Sequence, residues 1–225
     1  MRVGVVIPWR PSWDRVAALE WCLRRWHTER PGWRVWVAQA ADDGAWCKAV
    51  PVGMTAGLWL SVDVVVMADA DVWCPGVGAA VDAVGSGRVE WAVPHDMLRR
   101  LDETSTAAVL AGAEPDTGMT LECPPYPASR GGGMLVMSRR AALTCRMDPR
   151  FVGWGGEDDA QGHALGTMCG PCHQVREPLW HLWHAKQPKD LRTSTRHPST
   201  VLLGRYRRAA GDRAAMAALL AEVDR

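Results

Sequence analysis

The chain has 225 residues, of which 48% are hydrophobic and 23% charged, as in an ordinary globular protein large enough for a substantial core. Its formal net charge of +1 gives no electrostatic case for nucleic acid or an anionic membrane as a partner, although it does not exclude nucleic acid. No stretch approaches the ~18 apolar residues of a membrane span. The apolar stretch before Pro8 is too short for a signal peptide, and the seven cysteines are an odd number. We therefore expect free thiols and a cytoplasmic location.

The first half of the chain alternates between strand and helix patterns. The predicted elements are a strand at 3–7, a helix at about 16–26, a strand at 34–38, a short helix at 52–60 and a strand that ends at Asp69. This alternation predicts parallel strands with right-handed crossovers. Ligands of such sheets bind beyond the carboxyl ends of the strands. Pro8-Trp9-Arg10, Asp42-Asp43 and Asp69/Asp71 all follow strands, so they predict a site at one edge.

The second half is less regular. The predicted elements are a strand at 91–94, a helix at 97–112, a loop with four prolines at 113–130, a strand at 134–138, a helix from Glu157 to about residue 165, a strand at 175–183, a polar mobile loop at 191–200 and a C-terminal helix at 209–223 capped by Asp212. We find no internal repeat and no low-complexity segment.

Two carboxylates, Asp69 and Asp71, follow an apolar run one residue apart. They point the same way if the chain stays extended, and they then repel each other unless a cation lies between them. A divalent metal that also binds phosphate oxygens is the natural occupant, because hard cations prefer oxygen ligands. Asp-x-Asp is a common sequence, however, and the alternative is a solvated strand end.

Three adjacent carboxylates, Glu157-Asp158-Asp159, open a predicted helix. Alone they are typical of a charged helix N-terminus. The preceding Gly153-Trp154-Gly155-Gly156 favours a site instead, because glycines let the backbone approach a ligand closely and a tryptophan offers a flat surface on which a sugar stacks. A carboxylate beside that surface can act as a general base on a hydroxyl.

His181 and His184 lie three residues apart. On a strand they face opposite sides, so they bind one metal only if the segment bends. The alternative is one buried and one surface histidine. Imidazole combined with carboxylate is a suitable ligand set for Mn²⁺.

The string Cys169-Gly170-Pro171-Cys172 matches the thioredoxin redox motif. That motif needs a strand before it and a helix that begins at the first cysteine, whereas here a predicted helix precedes it. Together with His181 and His184 the spacing is C-x2-C-x8-H-x2-H, which resembles a zinc finger only loosely. We expect a turn away from the site, with a Cys/His zinc-binding interaction module as an alternative.

Taken in order, these segments resemble the GT-A fold glycosyltransferases, in particular the β-1,4-galactosyltransferase and family-2-like branch. The matching segments are Ile7-Pro8-Trp9-Arg10, Trp46-Cys47-Lys48-Ala49, Asp69-Ala70-Asp71, Gly131-Gly132-Gly133, the stretch 153–159 and His181-Leu182-Trp183-His184. The resemblance extends from Val3 to about Lys189. It implies an α/β fold of the GT-A (Rossmann-like) type, with a mixed sheet and helices on both faces in a single domain. The domain would span 1–190, with a nucleotide-binding half at 1–95 and an acceptor and catalytic half at 96–190, followed by a mobile loop and helix at 191–225.

The resemblance also implies roles for individual residues. Asp158 would be the catalytic base and Glu157 would bind the acceptor or donor sugar. The nucleotide-sugar would contact Pro8, Arg10, Trp46, Lys48, Asp69, Gly132, Trp154 and Gly155. Mn²⁺ (or Mg²⁺) would be held by Asp71, His184 and, as a third ligand, His181.

The implied activity is metal-dependent transfer of a sugar from a nucleotide-sugar, expected to be a UDP-sugar, to a hydroxyl of a glycan, lipid or protein. Retaining relatives typically carry asparagine at the position of Asp158, which favours inversion here. Residues 96–130 match nothing in the family, so the acceptor stays open. The same chemistry on modified DNA bases, as in some phage enzymes, is the main alternative.

Overall fold

The computed structural model describes residues 1–40, 46–127, 131–153, 155–185 and 197–223. The strands are β1 (Val3–Trp9), β2 (Arg34–Gln39), β3 (Val64–Ala68), β4 (Val72–Trp73), β5 (Trp91–Val93), β6 (Met97–Arg100), β7 (Tyr126–Pro127), β8 (Met134–Ser138), β9 (His173–Gln174) and β10 (Pro178–His181). The helices are α1 (Val16–Glu29), α2 (Ala49–Met54), α3 (Ala56–Trp59), α4 (Val77–Gly85), α5 (Glu103–Leu110), α6 (Arg139–Thr144), α7 (Glu157–Met168), α8 (Pro198–Ala209) and α9 (Arg213–Ala221).

The main sheet has six strands in the order β2-β1-β3-β8-β5-β9. β1 pairs in parallel with β2 and β3, whereas β8 is antiparallel to both β3 and β5. The sheet is therefore mixed, and the predicted α/β architecture is confirmed. Because β1 and β3 run in parallel, the residues that follow them meet at one edge of the sheet.

A second sheet of four strands, in the order β4-β10-β6-β7, begins directly after that edge. β4 starts at Val72, and His181 at the end of β10 pairs with Val72 in an antiparallel register. This pairing brings His181, from late in the chain, beside Asp71.

Two hydrophobic clusters cover the two faces of the main sheet. Along β3, Val64 and Val66 belong to one cluster and Val65 and Met67 to the other, because successive side chains of a strand point to opposite faces. Helices α1 and α4 contribute to the first cluster, and helices α7, α8 and α9 contribute to the second. Helices thus lie on both faces, as predicted. Among the described helices, none is both long and apolar enough to cross a lipid bilayer.

The predicted helix at 97–112 is wrong in its first turn. Met97–Arg100 forms β6, which pairs with β10 and β7, and the helix begins only at Glu103. Asp102 caps it by accepting a hydrogen bond from the backbone N–H of Ser105 at 2.7 Å. The strand depends on partners about 30 and 80 residues away along the chain, which a local sequence pattern does not contain.

Other boundaries also differ. The predicted strand at 175–183 is shortened to Pro178–His181, and the predicted helix at 52–60 is two helices that meet at Thr55. Residues 191–196 of the predicted mobile loop lie outside the described residues, and residues 198–200 belong to α8. The C-terminal helix is divided at Gly211, whose φ of +85° ends α8. Asp212 caps α9, as predicted.

Candidate active site

The carboxylates of Asp69 and Asp71 lie in different groups of charged side chains. β3 ends at Ala68 and the chain turns at Ala70–Asp71 before it enters β4. Asp69 pairs with Lys48, whereas Asp71 is 2% exposed and faces two histidines. The extended geometry considered from the sequence, in which both carboxylates share one cation, is therefore not found.

Among the described residues, Asp71, His181 and His184 form a cluster of side chains that could bind a metal ion. One potential ligand atom from each lies within 4.8 Å of the others. The Nε2 atom of His184 is 3.5 Å from Asp71 Oδ2, and that of His181 is 3.8 Å from Asp71 Oδ1. Both histidines reach the carboxylate because β10 ends at His181 and the chain no longer alternates beyond it.

The hydrogen bonds of the two histidines fit a metal site. His181 Nδ1 donates to the carbonyl of Leu182 at 2.7 Å, and His184 Nδ1 donates to the carbonyl of Ala185 at 2.9 Å. Since a carbonyl oxygen only accepts, Nδ1 carries a proton in both rings, and Nε2, the nitrogen that faces Asp71, offers a lone pair to a metal when the ring is neutral. Burial lowers the pKa of His181, partly offset by Asp71, which favours this neutral form. Metal-binding histidines commonly donate their other N–H in this way.

Arg15, at the start of α1, forms an ion pair with Oδ2 of Asp71. Burial alone raises the pKa of Asp71, but His181, Arg15 and His184 together outweigh it, so the net pKa lies below its ordinary value. The carboxylate is therefore ionised at neutral pH. Arg15 was not predicted from the sequence as a site residue, because no spacing or motif connects it with a residue 56 positions away.

Lys48 connects the end of β3 with the start of α7. Its side chain is 6% exposed, and its Nζ lies 2.7 Å from Asp69 Oδ1 and 3.0 Å from Asp158 Oδ1. Burial lowers the pKa of Lys48, but Asp158 and Asp69 raise it by more, so the amine stays charged. The sequence placed Lys48 near the donor but did not indicate that it joins two of the other candidate residues.

The Asp158 carboxyl is a much weaker acid than an ordinary aspartic acid. Burial raises its pKa, Lys48 lowers it, and Glu157 and Asp69 raise it further, which brings the pKa of Asp158 to about 7. Glu157 is 6% exposed, and its Oε2 has no hydrogen-bond partner among the described residues. Burial is also the largest cause of the raised pKa of Glu157, against which Lys48 acts. Two adjacent carboxyls thus lie where ionisation is costly, which is common at sites that move protons.

Glycines shape the backbone around these carboxyls. Gly153, Gly155 and Gly156 all have positive φ, and Gly156 precedes the first turn of α7. A Cβ on Gly131, at φ +105°, would lie 3.0 Å from the backbone oxygen of Asp158. The segment that contains Gly131 therefore packs directly against the start of α7, which only a residue without a side chain allows.

His95 supports the same glycine segment from inside the protein. It is fully buried, and its Nε2 donates to the carbonyl of Gly132 at 3.1 Å. Its Nδ1 has no hydrogen-bond partner among the described residues. Burial lowers the pKa of His95 to about 4, so the ring is neutral near pH 7. His95 was not predicted from the sequence as a site residue.

The remaining residues predicted to contact the nucleotide-sugar have fewer contacts with the Lys48 and Asp71 groups. Pro8 is buried within β1, and Arg10 is half-buried just after it. Within the described residues, no hydrogen bond or ion pair joins Arg10 to Lys48 or to Asp71. The carbonyl of Trp46 accepts a 2.7 Å hydrogen bond from the N–H of Gly153, which brings Trp46 beside the glycine-rich segment before α7. Trp154 and Asp42-Asp43 lie outside the described residues.

Cys169 and Cys172 follow the C-terminal end of α7, opposite the end that begins with Glu157. The Sγ atom of Cys169 is 3.8 Å from that of Cys145. A helix of this length separates Cys169 from Asp158 by about 15–18 Å. No cysteine belongs to the Asp71 cluster among the described residues, so the histidines and the Cys-x-x-Cys pair do not form one zinc site there.

Comparison with known proteins gave structural likeness only. No family model and no curated protein matches the chain. The catalytic domain of Drosophila β1,4-galactosyltransferase 7, in complex with xylobiose, has a TM-score of 0.47 at 14% identity, covering 87% of this chain and 68% of that one. Glucosyl-3-phosphoglycerate synthase of M. tuberculosis has a TM-score of 0.48 at 16% identity, covering 98% and 81%. S. aureus TarS has a TM-score of 0.48 at 8% identity, covering 81% and 37%. TM-scores below 0.5 at such identities do not establish a family, so the function is argued below from the site.

Proposed function

We propose that this protein is a metal-dependent, inverting glycosyltransferase that moves a sugar from a nucleotide-sugar to a hydroxyl acceptor. The observation that carries the proposal is the link made by Lys48 between Asp69 and Asp158. Through this link Asp158, whose pKa is about 7, lies close to Asp69 at the end of β3. Asp71, which belongs to the cluster of potential metal ligands, follows Asp69 by two residues. A cation site and a candidate general base thus lie at the same edge of the sheet.

The proposed metal ligands are Asp71, His181 and His184. Their mixed carboxylate and imidazole donors suit Mn²⁺, with Mg²⁺ as a substitute. The ionised Asp71 carboxylate and the Nε2 atoms of both histidines converge, which favours a cation at this position. When bound, such an ion neutralises diphosphate charge and helps a nucleoside diphosphate to leave.

Asp158 is the proposed base. A carboxylate is most effective when its pKa lies near the working pH, because it is then both ionised and basic enough to accept a proton. In the proposed reaction Asp158 takes the proton of the acceptor hydroxyl while that oxygen attacks the anomeric carbon and the bond to the diphosphate breaks. A single displacement of this kind inverts the configuration of the sugar. The unpartnered Oε2 of Glu157 is available to accept a hydrogen bond from a sugar hydroxyl.

The donor is proposed to lie against Pro8, Arg10, Trp46, Asp69, Gly132, Trp154 and Gly155. We propose a UDP-sugar because the sequence resembles the β-1,4-galactosyltransferases in these segments. A structure of the Drosophila enzyme contains manganese, UDP-Gal and xylobiose. A glycan, lipid or protein hydroxyl remains the proposed acceptor.

Thermal unfolding with a panel of nucleoside diphosphates tests the proposal. A diphosphate at 100 times its Kd stabilises by about 2.7 kcal/mol, which raises the Tm of a protein of this size by about 5–10 °C. We expect this shift with Mn²⁺ and not with excess EDTA, and we expect Asp71→Asn to remove it. Asp63→Asn is the matched control, because Asp63 pairs with Arg2 on the surface. Equal stabilisation in EDTA would show that the metal assignment is wrong, and tightly bound zinc at one per chain would favour the zinc module instead.

A further inference from the structure

The proposed metal site already contains a cation from the protein itself. Arg15 pairs with Asp71 through Oδ2, the same oxygen that lies 3.5 Å from His184 Nε2. Asp71 is 2% exposed, and an unpaired carboxylate buried to that extent would be costly. The guanidinium therefore stabilises the site when no metal is bound.

A metal and this guanidinium compete for the same carboxylate. Two positive groups held a few ångströms apart in a mostly buried site repel each other strongly, because little solvent screens their charges. One carboxylate oxygen also has limited capacity to bind both at full strength. Metal uptake is thus opposed unless the guanidinium moves away from Oδ2.

The Arg15 side chain is partly exposed to solvent, and its guanidinium can bind another acceptor once it leaves Asp71. Its side chain is 27% exposed, which leaves one side open to solvent, and its Nε has no hydrogen-bond partner among the described residues. The planar guanidinium group offers several N–H donors that match a phosphate in pairs. A diphosphate bound next to the metal site would supply the acceptors that Asp71 no longer gives.

We propose that Arg15 is the resident counter-ion of Asp71, that metal binding exchanges with it, and that the released guanidinium then binds the diphosphate of the donor. The proposal rests on the metal site of the proposed function. It assigns Arg15 two roles in sequence, as a substitute for the metal and as a diphosphate ligand. The competing possibility, a permanent Arg15–Asp71 pair that takes the place of a metal, is distinguished by the experiment.

The first test is the affinity for Mn²⁺, measured without nucleotide from the electron paramagnetic resonance signal of the free ion. We expect Arg15→Gln to bind Mn²⁺ at least about tenfold more tightly than the wild type, because it no longer competes for Asp71. Arg100→Gln is the matched control. Arg100 also acts electrostatically on His181, but its Nε donates to the Tyr126 hydroxyl at 2.9 Å and not to Asp71. We therefore expect Arg100→Gln to change the Mn²⁺ affinity by less than about threefold.

The second test uses inorganic pyrophosphate as the probe. In the wild type, pyrophosphate should tighten Mn²⁺ binding, and in Arg15→Gln this gain should be reduced about tenfold or more, because one diphosphate ligand is missing. An equal Mn²⁺ affinity in Arg15→Gln and the wild type would overturn the exchange. An equal gain from pyrophosphate would overturn the second role of Arg15. If neither the wild type nor Arg15→Gln binds Mn²⁺, the proposed metal site is wrong and this inference with it. If only Arg15→Gln binds Mn²⁺, Arg15 and Asp71 form a permanent ion pair in the wild type.

A measurement on the wild type covers the case in which Arg15→Gln does not fold. The Nε–H resonance of Arg15 in a ¹⁵N spectrum reports its surroundings, and Mg²⁺ replaces Mn²⁺ because it is diamagnetic. We expect this resonance to shift on addition of Mg²⁺ and to shift again on addition of pyrophosphate. A resonance that stays unchanged while Mg²⁺ saturates the protein would overturn the exchange.

Discussion

Replacement of Asp158 by asparagine separates the proposed chemistry from binding. The amide keeps the size of the side chain, and its oxygen still accepts the hydrogen bond that Lys48 now makes at 3.0 Å. It cannot take a proton from an acceptor hydroxyl. Loss of a general base typically costs about 10²–10⁴ in rate, so we expect that reduction with nucleotide-sugar affinity nearly unchanged.

The acidity of Asp158 adds a second signature. With a pKa of about 7, about one tenth of this carboxyl is ionised at pH 6 and about nine tenths at pH 8. The transfer rate of the wild type should therefore rise about tenfold over this interval, and the residual rate of Asp158→Asn should not.

The contribution of Asp158 to the free energy of unfolding changes in the opposite direction with pH. A raised pKa in the folded state stabilises the protein fully below the ordinary pKa of aspartic acid, and this contribution is lost as the pH rises toward 7.

The assay measures release of nucleoside diphosphate from a nucleotide-sugar that carries the nucleoside diphosphate found to stabilise the protein in the thermal screen. Asp159→Asn is the matched control, because it makes the same change at the next residue, whose carboxylate is 3.9 Å from Arg207 and away from Lys48. The configuration of the product is read by NMR. A wild-type rate in Asp158→Asn, or a product with retained configuration, would refute the assigned mechanism.

Three further predictions follow from single contacts. Glu157→Gln should raise the KM for the sugar substrate by about 10–100-fold with a smaller effect on kcat, as measured by steady-state kinetics, because an amide replaces the carboxyl group whose Oε2 is proposed to accept a hydrogen bond from the sugar. Gly131→Ala should destabilise by about 1–3 kcal/mol in denaturant unfolding and by more than Gly112→Ala, which has a similar φ of +113° but nothing within 4 Å of the new Cβ. Mild oxidation with glutathione disulfide should link Cys145 to Cys169 in peptide mapping with little loss of activity, since their sulfurs are 3.8 Å apart and far from the proposed base.

The parts of the fold that the sequence predicted well are those that depend on local patterns. β1, β3 and β8 are apolar runs bounded by turn residues, and they were located to within one or two residues. The edge at which the candidate residues collect also followed from the alternation of strands and helices, because parallel neighbours end on the same side. Asp71 and the two histidines do come together, as the resemblance implied.

What the sequence did not predict depends on contacts between distant residues. The strand β6 exists because β10 pairs with it, and the convergence of His181 and His184 depends on where β10 ends. The two cations of the site, Lys48 and Arg15, also depend on contacts between distant residues. Lys48 and Arg15 find their carboxylates 110 and 56 positions away, and a lysine or arginine near a helix start has no distinctive pattern.

The balance of charge in the site connects its two clusters. The carboxylates that face the edge are those of Asp69, Asp71, Glu157 and Asp158, and the cations paired with them are Lys48 and Arg15. A nucleoside diphosphate would bring further negative charge to a place where Lys48 and Arg15 are already paired with carboxylates, so its binding is opposed unless a divalent ion enters with it. A nucleoside without phosphates carries no such charge, and its binding should therefore depend little on metal. The difference in metal dependence between the two ligands is thus a property of the charge balance, and it holds whichever sugar and acceptor the protein uses.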